Sequence, residues 1–179
     1  MGNLSTVDPE FVIFTGPMFG SKTTKMLAII DRYRYQNKKI AAFKPRQDDR
    51  YSTSFICTHN GGKIEALNVS SGDDIVSVIN TMSKKPDVVA VDEAFMISGS
   101  AESLICLFRD GYTILVSSLQ LSSSGAAFEE IRDMMPWATK IEICPAVCPV
   151  TGRDAYYTFR KVAGLEEITV GGAELYEPR

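Results

Sequence analysis

Near its N-terminus the chain contains the segment Phe11-Val-Ile-Phe-Thr-Gly-Pro-Met-Phe-Gly-Ser-Lys-Thr-Thr24. Its first four residues are apolar and predict a buried strand. A strand followed by a tight glycine-bearing turn and a helix is the setting of a phosphate-binding loop. After Lys22, apolar residues recur at the spacing of an amphipathic helix, at Met26, Leu27, Ile30 and Tyr33.

The turn residues are candidates for binding a polyphosphate, because backbone N–H groups and a helix N-terminus present partial positive charge. Lys22 would reach the β and γ phosphate oxygens, and the Thr23 hydroxyl would ligate Mg²⁺. Ser21 departs from the usual pattern Gly-x-x-x-x-Gly-Lys-Ser/Thr, since the second glycine lies one residue early, at Gly20. The alternative is a strand-to-helix turn that contains Gly-Ser-Lys-Thr by chance. The candidate nucleotide-binding residues are Gly16, Pro17, Met18, Phe19, Gly20, Ser21, Lys22 and Thr23.

Length and composition limit the classes of protein to which this chain can belong. A chain of 179 residues, 45% hydrophobic and 23% charged, favours a globular protein of one domain with at most a small appendage. The formal net charge of −3 argues against a nucleic-acid-binding surface, which would be basic. No apolar run has the length of a membrane span, and the N-terminus lacks the regions of a signal peptide. We therefore expect a cytoplasmic protein with no membrane partner, whose four scattered cysteines stay reduced or bind metal.

Strands alternate with helices in the first three quarters of the chain. Further strands are predicted at 39–45, 63–69, 87–93 and 112–119, and helices at 70–83, 100–109 and 128–135. Such alternation predicts a mostly parallel sheet covered on both faces. Residues 46–62 have no apolar periodicity and predict a long polar loop, which is typical of a lid or a binding loop.

The pattern changes after Thr139. Strands are predicted at 140–147, 155–162 and 168–170, with Gly152 and Gly164 in the turns between them. We therefore divide the chain into an α/β domain, residues 1–138, and a small β-rich C-terminal subdomain, residues 139–179.

Two carboxylates, Asp92 and Glu93, end the apolar strand Asp87-Val-Val-Ala-Val-Asp-Glu93. Ligands of open α/β sheets bind beyond the carboxyl ends of the strands, so Asp92 and the phosphate loop should face one crevice. Asp92 then suits a Mg²⁺ ligand, and Glu93 could accept a proton from an attacking hydroxyl. The alternative is an acidic turn with no chemical role.

Several segments carry a family resemblance. They are Gly16-Pro-Met-Phe with the following Lys-Thr, Asp48 to His59, Val91-Asp-Glu-Ala, Ala146-Val-Cys, Ala155-Tyr-Tyr-Thr-Phe-Arg160 and Val170-Gly-Gly-Ala-Glu-Leu-Tyr176. Together, and in this order over nearly the whole chain, they resemble the type II thymidine kinase family of cells, bacteria, phages and poxviruses. The resemblance implies a P-loop NTPase-like (RecA-like) fold with a C-terminal lasso loop that closes on the thymine base.

The resemblance also implies roles for individual residues. Lys22 and its loop bind ATP, Thr23 and Asp92 hold Mg²⁺, and Glu93 is the general base for the nucleoside 5′-hydroxyl. The family further implies a homotetramer. For Met18, Leu119 and Phe128, plain core packing is the alternative that the residues alone would favour. The residues that match the thymidine pocket and the loop covering it are Met18, Asp48, Arg50, Leu119, Phe128, Thr158 and Tyr176.

The chain departs from the family pattern at several positions. Phe95 replaces a glutamine, Met96 and Ser123 replace aromatic residues, and Gly20-Ser21 reverses the usual order. The family holds structural zinc with two pairs of ligands. Cys148 keeps one position, but Thr151 replaces its partner and the second pair is absent. Cys144 and Cys148 are the only plausible zinc ligands, so we expect that zinc is absent or that the printed sequence ends before the residues that complete its site.

The sequence thus predicts an ATP-dependent deoxynucleoside kinase that acts on deoxythymidine. Two functions of other classes compete with it. One is a non-catalytic nucleotide-binding protein derived from such a kinase, and the other is a P-loop ATPase that acts on nucleic acid. Turnover with thymidine separates the first two, and the negative net charge counts against the third.

Overall fold

A sheet of six parallel strands is the centre of the fold in residues 8–46, 55–58, 61–162 and 171–179, which the computed structural model describes. The strands are β1 (Phe11–Thr15), β2 (Ile40–Pro45), β3 (Phe55–Cys57), β4 (Lys63–Glu65), β5 (Leu67–Val69), β6 (Val88–Asp92), β7 (Thr113–Ser118), β8 (Lys140–Ile143), β9 (Ala146–Val147), β10 (Asp154–Ala155), β11 (Thr158–Arg160) and β12 (Tyr176–Pro178). The helices are α1 (Lys22–Tyr35), α2 (Gly72–Thr81), α3 (Ser100–Arg109) and α4 (Glu129–Met134). Short 3₁₀ turns lie at Ala94–Met96 and Met135–Trp137.

The parallel strands have the order β5-β2-β6-β7-β1-β8. This order places β7 between the strand that precedes the phosphate loop, β1, and the strand that ends in the two carboxylates, β6. Because all six strands are parallel, their carboxyl ends lie on one edge of the sheet. The predicted α/β fold with a parallel sheet is confirmed.

Each face of the sheet has its own hydrophobic core, because successive side chains of a strand point to opposite faces. Phe11 and Ile13 of β1 pack with residues of α2, α3 and α4. Val12 and Phe14 pack instead with Met26, Leu27 and Ile30 of α1. The helix positions predicted from the apolar spacing are therefore the buried ones, and Tyr33 is half-buried beside them.

Helices α2 and α3 each begin at a well-defined cap. Ser71 caps α2 in a capping box, in which its hydroxyl accepts from Asp74 N at 3.3 Å and the Asp74 carboxylate accepts from Ser71 N at 3.1 Å. The cap of α3 comes from another helix. The Glu130 carboxylate of α4 accepts from Gly99 N and Ala101 N, both at 2.7 Å, and from the Ser100 hydroxyl at 3.2 Å.

The part of the chain predicted as a loop contains a strand. Phe55–Cys57 forms β3, which pairs in antiparallel fashion with β4, so the prediction of a continuous loop over residues 46–62 is wrong there. The single strand predicted at 63–69 is two strands, because β4 pairs with β3 while β5 joins the edge of the main sheet beside β2. Ile56 and Ile64 of this hairpin (β3 with β4) pack against the α1 face and bind the hairpin to the domain.

The C-terminal quarter contributes to the main sheet and forms two small antiparallel sheets. β8 pairs with β1 as the sixth strand of the main sheet, whereas β9 pairs with β10 and β11 pairs with β12. The strands predicted at 140–147 and 155–162 are each interrupted, and β12 was not predicted. The strand predicted at 168–170 and the turn at Gly164 lie outside the described residues. The division into residues 1–138 and 139–179 stays a prediction.

Within the described residues, no helix is both long and apolar enough to cross a membrane.

Candidate active site

The phosphate loop packs directly on the backbone of Cys144. A Cβ atom added to Gly16 or Gly20 would lie 2.4 or 2.2 Å from the Cys144 carbonyl oxygen, closer than real Cβ contacts allow. Gly20 is therefore required by close packing and has no positive φ to explain it. The left-handed conformation falls instead on Ser21, which has φ 58° and ψ 24° and makes no side-chain cap to the helix. Two constraints therefore fall on different residues of this chain. Residue 20 must be small because it packs on the Cys144 carbonyl, and residue 21 adopts the left-handed backbone conformation.

The loop and the acidic strand end meet through Thr23. Its hydroxyl lies 3.0 and 3.3 Å from the two carboxylate oxygens of Asp92 and 3.3 Å from the Ser117 hydroxyl of β7. Lys22 is 7% exposed, and its ammonium donates to Pro17 O at 2.6 Å across the loop. The predicted convergence of Lys22, Thr23 and Asp92 on one crevice is what the structure shows.

Glu93 has an unusual backbone that turns the chain out of β6. Its φ of 50° is left-handed, which is strained for a residue with a Cβ and occurs often at functional sites. The 3₁₀ turn that follows holds this geometry, since Met96 N donates to Glu93 O at 3.0 Å and Phe95 N donates to the Ser118 hydroxyl at 3.0 Å. The two adjacent carboxylates are thereby directed by different backbone conformations.

A cavity of about 240 Å³ lies above the carboxyl edge of the sheet. The phosphate loop contributes Met18, Phe19, Ser21, Lys22 and Thr23 to its lining, and the strand ends contribute Asp92, Glu93 and Leu119. Lys44 from the end of β2 and Phe55 and Cys57 from the hairpin line the same cavity. Gly172 and Ala173, near the C-terminus, also line it. The C-terminal segment thus reaches the cavity that the phosphate loop forms.

Of the described residues matched to the thymidine pocket, Met18 and Leu119 line this cavity, and Thr158, Phe128 and Tyr176 are not part of its lining. Thr158 of β11 contacts the phosphate loop, because its hydroxyl accepts from Met18 N at 3.0 Å. The Phe128 ring packs on Phe95, with 4.5 Å between ring centroids. Tyr176 is buried at the start of β12, under the guanidinium of Arg160. Asp48 and Arg50 lie outside the described residues.

The donor atoms at Thr23 and Asp92 fit Mg²⁺. This hard cation prefers oxygen ligands, and a hydroxyl and a carboxylate converge there within hydrogen-bonding distance. The two cysteines are placed differently. Cys144 is buried beneath the loop, where burial raises the pKa of its thiol, and Cys148 lies in a turn whose N–H and hydroxyl groups donate to it from Val150 and Thr151. Among the described residues, no three His, Cys, Asp or Glu side chains are grouped as a metal site would require.

Sequence reasoning missed two polar residues of the site. Ser117 is fully buried in β7 and contacts Thr23, and Lys44 is 3% exposed at the end of β2. Both are polar residues at the carboxyl ends of strands predicted as buried, which is the signal that could have identified them.

The geometry defines the class of protein. A phosphate loop after one parallel strand and an acidic strand end two positions away, meeting over one cavity, are the site of a P-loop nucleotide-binding α/β protein.

Comparison with known proteins identifies the family. The thymidine kinase family model matches residues 10–179, and the chain belongs to this family of kinases. A thymidine kinase of Pyrobaculum aerophilum is 32% identical over 174 residues, which cover 94% of each chain. A thymidine kinase of Thermococcus kodakarensis is 33% identical over 176 residues, which cover 93% of this chain and 89% of the relative. The family predicted from the sequence motifs is confirmed.

Proposed function

We propose that the protein is a thymidine kinase that transfers the γ-phosphoryl group of ATP to the 5′-hydroxyl of deoxythymidine. The observation that carries this proposal is that Lys22, Thr23, Asp92 and Glu93 line one cavity in a chain of the thymidine kinase family. The competing functions, a non-catalytic nucleotide-binding protein and a P-loop ATPase, are not favoured.

The phosphate-binding half of the site consists of the loop and the start of α1. The loop residues 16–23 wrap the ATP phosphates through backbone N–H groups, and Lys22 exchanges its bond to Pro17 O for the β and γ oxygens. Thr23 and Asp92 hold Mg²⁺, which when bound neutralises charge on those oxygens. Ser117 holds the Thr23 hydroxyl toward Asp92.

Glu93 acts on the acceptor. The 5′-oxygen of the nucleoside attacks the γ-phosphorus, the bond from that phosphorus to the β–γ bridging oxygen breaks, and the hydroxyl proton passes to the Glu93 carboxylate. ADP and dTMP are the products. The left-handed backbone of Glu93 follows the extended backbone of Asp92, and we assign the Asp92 carboxylate to the metal and the Glu93 carboxylate to the acceptor.

The nucleoside lies on the side of the cavity that the C-terminal segment covers. Met18 and Leu119 line that cavity, and Thr158 holds the backbone of Met18. Phe128, which packs on Phe95, and the buried Tyr176 are assigned to the nucleoside pocket from the family resemblance alone. Asp48 and Arg50 are proposed, from the family resemblance alone, for the loop that covers the site.

The test is formation of dTMP from thymidine and ATP by the purified protein, with other nucleosides as competing acceptors. The matched variant is Lys22→Ala, which should abolish transfer and leave the fold intact, as checked by circular dichroism. Near-normal activity of a folded Lys22→Ala protein would contradict the proposal that residues 16–23 bind the ATP phosphates. ATP binding without turnover of any nucleoside would favour the non-catalytic alternative.

We also propose, from the family resemblance, a homotetramer located in the cytoplasm. Sedimentation of the purified chain tests the first, since a monomer of 19.7 kDa and a tetramer separate clearly.

A further inference from the structure

Lys44 is a buried cation at the edge of the proposed phosphate site. It is 3% exposed at the end of β2 and lines the cavity that holds Lys22 and Asp92. Its ammonium donates to Phe55 O at 2.9 Å. Within the described part of the chain, that carbonyl is its one hydrogen-bond partner, and it forms no ion pair. An ammonium has three N–H donors, and a buried charge is costly unless it is paired, so this position suits an anionic ligand.

The register of the sheet places Lys44 beside the proposed metal site. β2 and β6 are paired from Ile40 and Val88 to Phe43 and Val91, so the next residues along the two strands are Lys44 and Asp92. Phe43 and Val91 face the core beneath α2 and α3, and Ala42 and Ala90 face α1. By alternation, Lys44 and Asp92 lie on the α1 side of the sheet, which is the side of the phosphate loop.

The cavity therefore has a cation on each side of Asp92. Lys22 approaches from the phosphate loop beyond β1, and Lys44 approaches from β2, on the other side of β6. The hairpin carbonyl that Lys44 holds, Phe55 O, belongs to a strand that lines the same cavity. Lys44 thus joins the sheet edge to the hairpin within the lining of this cavity.

We propose that Lys44 is a second phosphoryl-binding cation, which contacts the γ-phosphate of ATP opposite Lys22 while one of its N–H groups keeps the hairpin in place. This inference rests on the proposed function, because it assumes that the triphosphate binds along the loop. Two cations around the transferred group would stabilise the charge that its equatorial oxygens carry during transfer.

The experiment compares nucleotides that differ only in the γ-phosphate. Calorimetry with Mg²⁺ measures the Kd of ATP and of ADP for the wild-type chain, for Lys44→Gln and for Lys39→Met. Gln keeps an N–H donor for Phe55 O but loses the charge. Lys39 is exposed just before the start of the same strand, at the opposite edge of the sheet, and serves as the control. For Lys44→Gln we expect ATP affinity to fall about 10- to 100-fold, the range of a hydrogen bond to a charged group, with little change for ADP. Lys39→Met should bind both as the wild type does.

Three results would overturn the proposal. Unchanged ATP affinity in Lys44→Gln would show that the ammonium contacts no phosphate. An equal loss of ATP and ADP affinity would show that Lys44 only anchors the hairpin. Should Lys44→Gln fail to fold, Lys44→Met is measured instead, and an ATP-to-ADP affinity ratio equal to that of the wild type would show that the ammonium contacts no γ-phosphate.

The same titration with Lys22→Ala separates this proposal from the proposed function. If Lys22→Ala loses ATP affinity and Lys44→Gln does not, only the role of Lys44 is wrong. If Lys22→Ala also binds ATP normally, the phosphate site itself is misplaced and both proposals fall.

Discussion

Residues 20 and 21 show how a departure from a motif can be accommodated by its surroundings. The left-handed backbone of Ser21 costs about 1–2 kcal/mol in a residue with a Cβ, and the Ser21 side chain makes no cap that would offset it. Ser21→Gly should raise the free energy of unfolding by about 0.5–1 kcal/mol, after the entropy cost of glycine, and should preserve activity. Urea denaturation measures the first and dTMP formation the second.

Gly20→Ala is the contrasting variant, because the new Cβ would meet the Cys144 carbonyl. It should destabilise the protein by about 1–3 kcal/mol, the usual cost of overpacking. Ser21→Ala keeps the Cβ and should give no gain in stability. A large loss of activity in both Ser21→Gly and Ser21→Ala would show instead that the serine hydroxyl takes part in binding.

The proposed roles of Asp92 and Glu93 are separable by single substitutions. Glu93→Gln keeps shape and hydrogen bonding but cannot accept the proton, so kcat should fall by about 10²- to 10⁴-fold with little change in ATP affinity. Asp92→Asn should instead weaken Mg²⁺-dependent nucleotide binding, because a charged metal ligand is lost. Steady-state kinetics and calorimetry with and without Mg²⁺ measure the two effects. Full kcat in Glu93→Gln, or an exchange of the two phenotypes, would show that the assignment is wrong.

At the scale of elements, α3 depends on a cap that another helix supplies. The Glu130 carboxylate satisfies two N–H groups and one hydroxyl at the α3 N-terminus, where Gly99 has no side chain to do so. Glu130→Ala should lower the free energy of unfolding by about 1–2 kcal/mol. The neighbour Glu129 pairs with Arg132 on the surface, so Glu129→Ala should cost about 0.5 kcal/mol or less. Equal effects of the two variants in thermal denaturation would contradict the capping role.

Sequence patterns predicted the helices and strands whose own residues form an apolar run or a helical repeat. β1, α1, β6 and α3 follow from apolar runs and helical spacing. β3 and β12 were missed because their evidence lies in partners far along the chain. β3 is three residues long and pairs with β4, and β12 pairs with β11. Short strands of this kind are specified by cross-strand contacts more than by their own residues.

The residues of the candidate site also fall into two groups, those that the sequence predicts and those that only the structure shows. Lys22, Thr23, Asp92 and Glu93 belong to motifs whose spacing carries their chemistry, so the sequence predicted them, and the structure brings them to one cavity. In the sequence Lys44 looks like any lysine at a strand end, and its burial and its bond to the hairpin are seen only in the structure. The role of Cys144 as the surface on which the phosphate loop packs depends on β8 joining β1, a pairing of residues more than a hundred positions apart.

Strand pairing, hydrogen bonds and an ion pair join the C-terminal quarter of the chain to the rest of the molecule. β8 pairs with β1, Cys144 N donates to Thr15 O at 2.7 Å, and the Lys25 ammonium of α1 binds the Glu142 carboxylate of β8 at 2.6 Å. That bond raises the pKa of Lys25 and lowers the pKa of Glu142. Further along, Thr158 holds the backbone of Met18 in the phosphate loop. These contacts attach the segment to the site at both ends of the phosphate loop.

Zinc is not needed to hold the turn at Cys148. The turn at Cys148 closes through protein hydrogen bonds: Cys148 N donates to Arg153 O at 2.8 Å, Gly152 N donates to Cys148 O at 2.9 Å, and Thr151 donates to the sulfur. Tetrahedral zinc needs four ligands, and Thr151 replaces the cysteine that would be the second. We therefore expect the 179-residue chain to contain no stoichiometric zinc, and a chelator to leave Tm unchanged. Elemental analysis that finds about one zinc per chain, with a Tm that falls on chelation, would contradict this. Cys144→Ala and Cys148→Ala would then identify the ligands, because loss of zinc in both variants requires that the two thiolates share the ion.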